Sequence, residues 1–505
     1  MKKLKHLLMS GIIVVLVSCQ EDNPAVVTVS EPSFSSFSCK DKSGLLSRPC
    51  VIKNDTISVV FSEIDTSWCV PVFEGDFDYV NCDGERILSG KSVVDFNMVR
   101  RFECIKDSGD GLLSHTYTVI VKTLNGIPRV DIHTENAMPI ESRDNYVNAF
   151  ISISNDPEYG VVEGGAKIRG RGNCTWTDYP KKPYKIKFDE KYSIHGFPAN
   201  KDWVLLAEYT DRSMVRTAFM AEISKVVGLP YTINYEYVDV FLNDEYKGLY
   251  LLADQVEKAK NRVDITSDGY LIEDDGYYMN EPLYFTSALC KYNYTFKYPK
   301  DLSTEDERFV WINDFINKIE DSLMSNPETD KYKEFKNYID IESFVRWYIV
   351  EELLGNYDCN VFYTLNDRNS KLQMGPVWDA EWSLGLAYRK DGYWMSPSYG
   401  SPVEIDIWSH RKYFERLFLD EEFNEKLKNK WNTVYSSLIN LPERIDEVAR
   451  KLTLSQDDNF SVWPILGKFV RVEVIVHDTW DEEVEYVKGF YNQRLNYINT
   501  VINAL

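Results

Sequence analysis

Basic charge is in deficit. Against 79 Asp and Glu the chain sets 57 Lys and Arg, a formal net charge of −22 over 505 residues. Nonspecific nucleic-acid binding draws on clustered Lys and Arg, so this balance argues against nucleic acid as a partner. Beyond the first twenty residues no stretch is long and apolar enough to span a bilayer, which takes about 20 apolar residues. None of the nine cysteines has the C-x-x-C spacing of a zinc site. There is no internal repeat and no low-complexity segment. What is left is an ordinary globular composition, 44% hydrophobic and 27% charged, long enough for two or more domains. Aromatics are abundant, with 33 Tyr and 12 Trp, and are read first as packing residues.

The N-terminus is the exception to the missing apolar runs. Lys2, Lys3 and Lys5 precede the run Leu7 to Val17, which is broken only by Ser10 and Gly11. That length suits the apolar region of an export signal rather than a membrane span. The run closes on Leu16-Val17-Ser18-Cys19, which resembles a bacterial lipobox. The expectation is a signal peptide over 1–18, lipidation of Cys19 and a polar tether over 19–33. Gln20-Glu21-Asp22-Asn23 resembles the surface-export tag of Bacteroides-type bacteria. The expected location is the cell envelope: outer membrane, periplasmic or surface-exposed, held by the lipid anchor alone.

Short strand-like runs follow, such as Thr56–Phe61 and Thr116–Val121, separated by the turns Asp83-Gly84, Ser89-Gly90 and Ser108 to Gly111. They predict a small all-β, Ig-like sandwich over 34–126, ending near Asn125-Gly126-Ile127-Pro128. Its simplest role is a spacer. An oxidising compartment permits disulfides, but Cys39, Cys50, Cys69, Cys82 and Cys104 are odd in number, and no pairing can be assigned. The remainder, 127–505, is strand-rich to about 300, with one helix from about Ser213 to Val227. It is helical over 302–356, short strands and turns over 361–385, and helical again over 411–455 and 478–503. The fold class is therefore α+β.

Four segments carry candidate chemistry. Lys167-Ile168-Arg169-Gly170-Arg171-Gly172-Asn173-Cys174-Thr175-Trp176, with Lys181-Lys182-Pro183-Tyr184-Lys185-Ile186-Lys187-Phe188, concentrates basic charge in an acidic chain. Its glycines permit a tight turn whose amides face an anion. Lys185 and Lys187 share one strand face. A solvated basic hairpin is the simpler reading of these residues alone. Val238 to Leu252 is a hairpin about Asn243-Asp244, read as scaffold. Ile341 to Asn360 is an amphipathic helix ending at Gly355, then a polar loop with Asn356, Asp358 and Asn360. Gly375 to Gly385 sets Asp379 and Glu381 among bulky apolar neighbours. Carboxylates placed so require a partner, either a hard cation such as Mg²⁺ or a structural Arg.

In order, RGN-x-[ST]-W…KKPYKIK, LN-x-x-Y-x-G-x-Y, E-x-x-x-N-x-D and PVWD-x-[DE]-x-x-x-G resemble the CotH kinase family, atypical secreted-type kinases first known from spore coats. The resemblance spans roughly 130–455, with Trp203 to Leu206, Asp211-Arg212-Ser213 and Phe414 to Phe418 adding to it. It implies an atypical kinase-like domain over 127–505. It also implies ATP with Mg²⁺ or Mn²⁺ as cofactors and Ser or Thr of an envelope or secreted protein as acceptor. In that chemistry the protein clamps phosphates and orients a hydroxyl. Asp358 suits the carboxylate that accepts the acceptor proton. Asp379, 21 residues on, suits the metal, with Glu381 assisting. Arg169, Arg171, Asn173, Lys185 and Lys187 are the nucleotide-binding candidates. Three positions depart from the family pattern: Glu381 for Asp, Cys174 for Ser and Asp254 for Glu. The alternative is a non-catalytic surface binding module on a kinase-like scaffold. A third reading is another transferase or a nucleotide hydrolase at the same site.

Overall fold

The computed structural model describes residues 30–40, 47–61, 68–96, 98–123, 127–154, 156, 159–356, 358–386 and 411–505. The expected signal, Cys19, most of the tether and the Asn125-Gly126 junction lie outside them. The chain divides into two compact units, Met1–Lys122 and Thr123–Leu505.

The first unit holds two antiparallel sheets. One has Ser47–Pro49, Ser33–Lys40 and Val70–Asp76 in that order. The other runs Val51–Lys53, Thr56–Phe61, Leu112–Thr123, Arg100–Asp107, Tyr79–Cys82, Glu85–Ile87. Alternation along the strands buries Phe102 and Cys104 on one, Tyr117, Val119 and Val121 on the next. With Phe34, Phe37 and Phe73 these make one core. Edge-to-face contacts such as Phe34 on Phe37, with centroids 5.2 Å apart, order the rings. Among the described residues Cys39, Cys50, Cys82, Cys104, Cys174, Cys290 and Cys359 are free thiols.

The second unit begins with a closed barrel of seven strands. Its neighbours in order are Arg129–Thr134, Val147–Ser154, Val162–Gly170, Tyr184–Tyr192, Asn200–Leu206, Glu245–Asp254 and Tyr235–Leu242. The last pairs with the first in parallel, Arg129 opposite Asp239, and all other pairs are antiparallel. Asn243 and Asp244 both take left-handed φ, 50° and 67°, as the tight hairpin turn requires. Inward-facing Val130, Ile132, Ile168, Ile186, Trp203, Val238 and Leu252 fill the barrel. On the opposite face of the same strands, Val204, Leu249, Leu251 and Ala253 join the helical core. Both faces are buried there, so these runs are continuously apolar rather than alternating.

That core is built by the helices Arg216–Val227, Glu307–Leu323, Ile341–Leu354, Glu421–Ile439, Leu441–Val462 and Trp480–Ala504. Asp306, Asp340, Asp420 and Thr479 cap four of them from their side chains. Ile341–Leu354 stops at Gly355, whose left-handed φ of 55° ends the helix and turns the chain into the polar loop. A second, antiparallel sheet runs Tyr284–Thr286, Asn293–Tyr298, Tyr270–Asp274, Val361–Leu365, Gln373–Met374. The chain is thus α+β. No described helix is long and apolar enough to cross a membrane.

Candidate active site

The site is assembled from four chain segments of the second unit. The first leaves the barrel after Gly170. Arg171 follows, and Gly172 turns with φ 81°, where a Cβ would meet the Thr175 hydroxyl at 2.2 Å. The Arg171 guanidinium lies 5.6 Å from the Trp378 ring centre and faces Asp379. Burial lowers its pKa, and the charge of Asp379 opposes that shift. Arg169, the neighbouring cation, donates to the carbonyls of Arg143 and Gly170 and stacks 5.2 Å over Tyr146. Asn173 is engaged by Arg143, which donates to its Oδ1 at 3.0 Å and to the Gly172 carbonyl at 2.7 Å.

The second and third segments carry the carboxylates. Asp358 is exposed in the loop after Gly355, and Asp379 follows the hairpin Val361–Leu365/Gln373–Met374. Asn356 Nδ2 donates to the Asp379 carbonyl at 3.2 Å, so the two loops are tied together. Asp379 takes φ 64°, left-handed and rare outside Gly, Asn and Asp. Its carboxyl keeps accessible surface, yet it is pushed up to about 6, first by lost hydration and then by Asp358. Glu381 is buried at 9% exposure; its Oε1 accepts the Thr210 N–H at 2.7 Å and the Thr210 hydroxyl. Burial pushes it up to about 7. Glu208, also buried, is raised well above the usual range by burial and then by Glu381.

Buried ion pairs hold this frame. Asp211 pairs with Arg216, both fully buried, and Arg216 Nε reaches the Ser383 carbonyl at 2.8 Å. Arg494 pairs with Glu352 behind the Asp358 loop. Lys181 donates to the Leu249 carbonyl and to Asn459 Oδ1 at 2.9 Å; burial pushes its pKa down to about 7. The fourth segment supplies Arg471, paired with Asp178 and 5.9 Å over Trp382.

Of the expected residues, Arg171, Asp358, Asp379 and Glu381 converge, with Cys174 beside them. Lys185 and Lys187 both point away from the barrel interior. Lys185 forms an ion pair with Asp202 at 3.0 Å, and Lys187 is exposed. Asp254 is held by Arg262 at 3.2 Å and by Asn234, a structural role. Sequence reading missed Glu208, Thr210, Tyr179 and Arg471. Only Asp211-Arg212-Ser213, next to Thr210, had signalled part of this wall. Among the described residues, no three His, Cys, Asp or Glu side chains group as a metal cage. Mg²⁺ ordinarily needs just one or two carboxylates, with phosphates and waters completing its shell.

The proton balance gives a stability prediction. Glu208 and Glu351 are raised well above their ordinary value and Glu352 and Glu381 to about 7, all first by burial. His195, between Asp156 and Glu236, is raised to about 9 by those carboxylates against burial. Each group binds more protons folded than unfolded, so stability falls as pH rises from 5 to 7. The melting temperature, followed by circular dichroism, is expected to be higher at pH 5.5 than at pH 7.

A mixed α+β unit, a barrel joined to a helical core, that gathers Asp358, Asp379 and Glu381 with Arg171 is the class this geometry defines. The family model described as CotH kinase protein matches residues 168–498, and the chain belongs to that family. No curated protein matches it. Among solved structures, a candidate glycoside hydrolase from Bacteroides thetaiotaomicron aligns at 17% identity over 37% of this chain and 54% of that one. The chain thus spans about half of that structure, and the TM-score of 0.16 does not amount to a shared fold.

Proposed function

We propose that the chain is a protein kinase that transfers the γ-phosphate of ATP to Ser or Thr of an envelope or secreted protein. The observation that carries the reading is the pairing of exposed Asp358 with Asp379 in the cleft. Asp358 raises the charge cost of Asp379, with Arg171 opposite. Two carboxylates arranged so favour a cation, and the residues fit Mg²⁺ or Mn²⁺: Asp379 would hold it, with Glu381 assisting through its second oxygen. When bound, the ion would neutralise phosphate charge. Arg171 presents its guanidinium to the phosphates, stacked by Trp378. Arg169 sits beside it; Asn173 shapes the turn with Arg143. Asp358, accessible at the rim, orients the acceptor hydroxyl and takes its proton as the phosphoryl group leaves ATP. Lys185 and Lys187 line the outer barrel face on the same side as Arg169, which lies directly opposite Lys185 across the strand pair.

The reading extends to the rest of the chain. Residues 1–18 serve as an export signal and Cys19 as the lipidated residue that anchors the mature chain in the cell envelope. The two-sheet unit is an Ig-like spacer, and residues 127–505 form the kinase-like domain. The test is transfer of label from γ-labelled ATP, with Mg²⁺, into an envelope protein fraction. Label recovered as phosphoserine or phosphothreonine supports the kinase. Phosphate release without labelled protein points to nucleotide hydrolysis. No turnover of any kind points to the surface binding module.

A further inference from the structure

The loop 463–479 is irregular, yet it is held by a buried device. Arg212 and Glu473 form an ion pair at 2.9 Å with neither side chain exposed. Glu473 Oε2 accepts three successive backbone N–H groups, from Val470, Arg471 and Val472, at 3.1, 2.8 and 3.0 Å. Arg212 also donates to the Ile465 carbonyl at 2.9 Å and to that of Lys468. Removing one partner of such a pair strands the other's charge. The result of this construction is a fixed backbone at Arg471, whose side chain leans over Trp382 toward the carboxylate cleft.

Two observations meet at that point. The Arg471 guanidinium is engaged by Asp178, but the two side chains are 38% and 41% exposed. An ion pair that open contributes little, so Asp178 is easily exchanged for a better anion. Tyr179, next in sequence, is 3% exposed; its hydroxyl oxygen lies beside the Arg471 guanidinium, while its O–H donates to no described acceptor. A buried hydroxyl left so is costly unless something else fills its valence. Its charged neighbours are Glu381 and Arg471. An unfilled donor and an exchangeable guanidinium therefore meet beside the carboxylates.

We infer that Arg471 and Tyr179 form a phosphoryl-oxygen subsite beside the carboxylate cluster, with Asp178 as an internal competitor that occupies Arg471 until the phosphate arrives. This rests on the cleft being a phosphoryl site, and it adds residues that the family motifs do not include. Bidentate capture of phosphate oxygens is what a guanidinium does best.

The test uses the full chain and calorimetric titration with pyrophosphate and, separately, ATP, each with Mg²⁺. Arg471→Met is expected to weaken pyrophosphate binding about tenfold, the scale of a hydrogen bond to a charged group. Asp178→Asn, which frees the guanidinium, is expected to tighten it by roughly threefold. Tyr179→Phe is expected to weaken it, whereas a hydroxyl without a ligand would leave binding unchanged. A merely structural Arg471–Asp178 pair predicts that both variants shift affinity in the same direction or not at all, and that result overturns the subsite. So does failure of the wild-type chain to bind pyrophosphate. Loss of ATP binding in Asp379→Ala reports on the kinase reading separately. A response in both ligands places the subsite on the ATP phosphate tail, and one in pyrophosphate alone places it on a second phosphoryl group.

Discussion

Asp358→Ala is expected to lower phosphoryl transfer about a thousandfold, the usual worth of a positioned general base, while the chain still binds ATP with Mg²⁺. The expectation follows from where the residue sits. Asp358 is exposed at the rim, so removing it opens no cavity. Its removal also relieves the neighbouring Asp379, whose carboxyl it raises. Asp379→Ala should behave differently and lose metal-dependent nucleotide binding together with transfer. Single-turnover rates beside equilibrium titrations separate the two. If Asp358→Ala retains full transfer, its assignment as the base is wrong.

Arg494→Met is expected to destabilise the fold by about 3–5 kcal/mol, the cost of stranding one partner of a buried ion pair. Arg494 and Glu352 are 1% and 2% exposed. Arg494 Nε also donates to the Glu352 carbonyl at 2.9 Å, next to the end of the helix Ile341–Leu354. The substitution leaves a carboxyl buried without its cation in the helix that leads into the Asp358 loop. Glu352→Gln should cost less, because the guanidinium still donates to the backbone carbonyl and to the amide oxygen. Burial also penalises the Glu352 carboxylate, a cost the neutral amide does not carry. Urea unfolding of the three proteins measures the difference. Equal losses for both variants would show that packing, not charge pairing, sets the effect.

The elements and their order were legible where local physics decides them. The helix before Gly355, the Asn243-Asp244 hairpin and the late helices follow from periodicity and turn chemistry. So did the motif order that carries the family. Barrel closure was not legible. It depends on Arg129 lying opposite Asp239 in a parallel pair, a register set by tertiary packing rather than by either strand. The basic segment shows the same limit. Period two puts Lys185 and Lys187 on one face, but only the assembled sheet shows Asp202 taking Lys185 and leaving Arg171 to meet Asp379. Arg471 was invisible because it follows Asp379 by 92 residues and is delivered by Arg212 and Glu473, whose contact no local pattern announces. Glu208 was missed for a related reason: its burial against Glu381 comes from packing, and an isolated Glu in sequence reads as surface.

The most direct measurement is calorimetric titration of residues 20–505 with ATP and Mg²⁺, with Asp379→Ala alongside. Saturable, metal-dependent binding that the variant loses is the predicted result. Absence of binding at millimolar nucleotide would contradict it and leave the cleft as part of a binding scaffold.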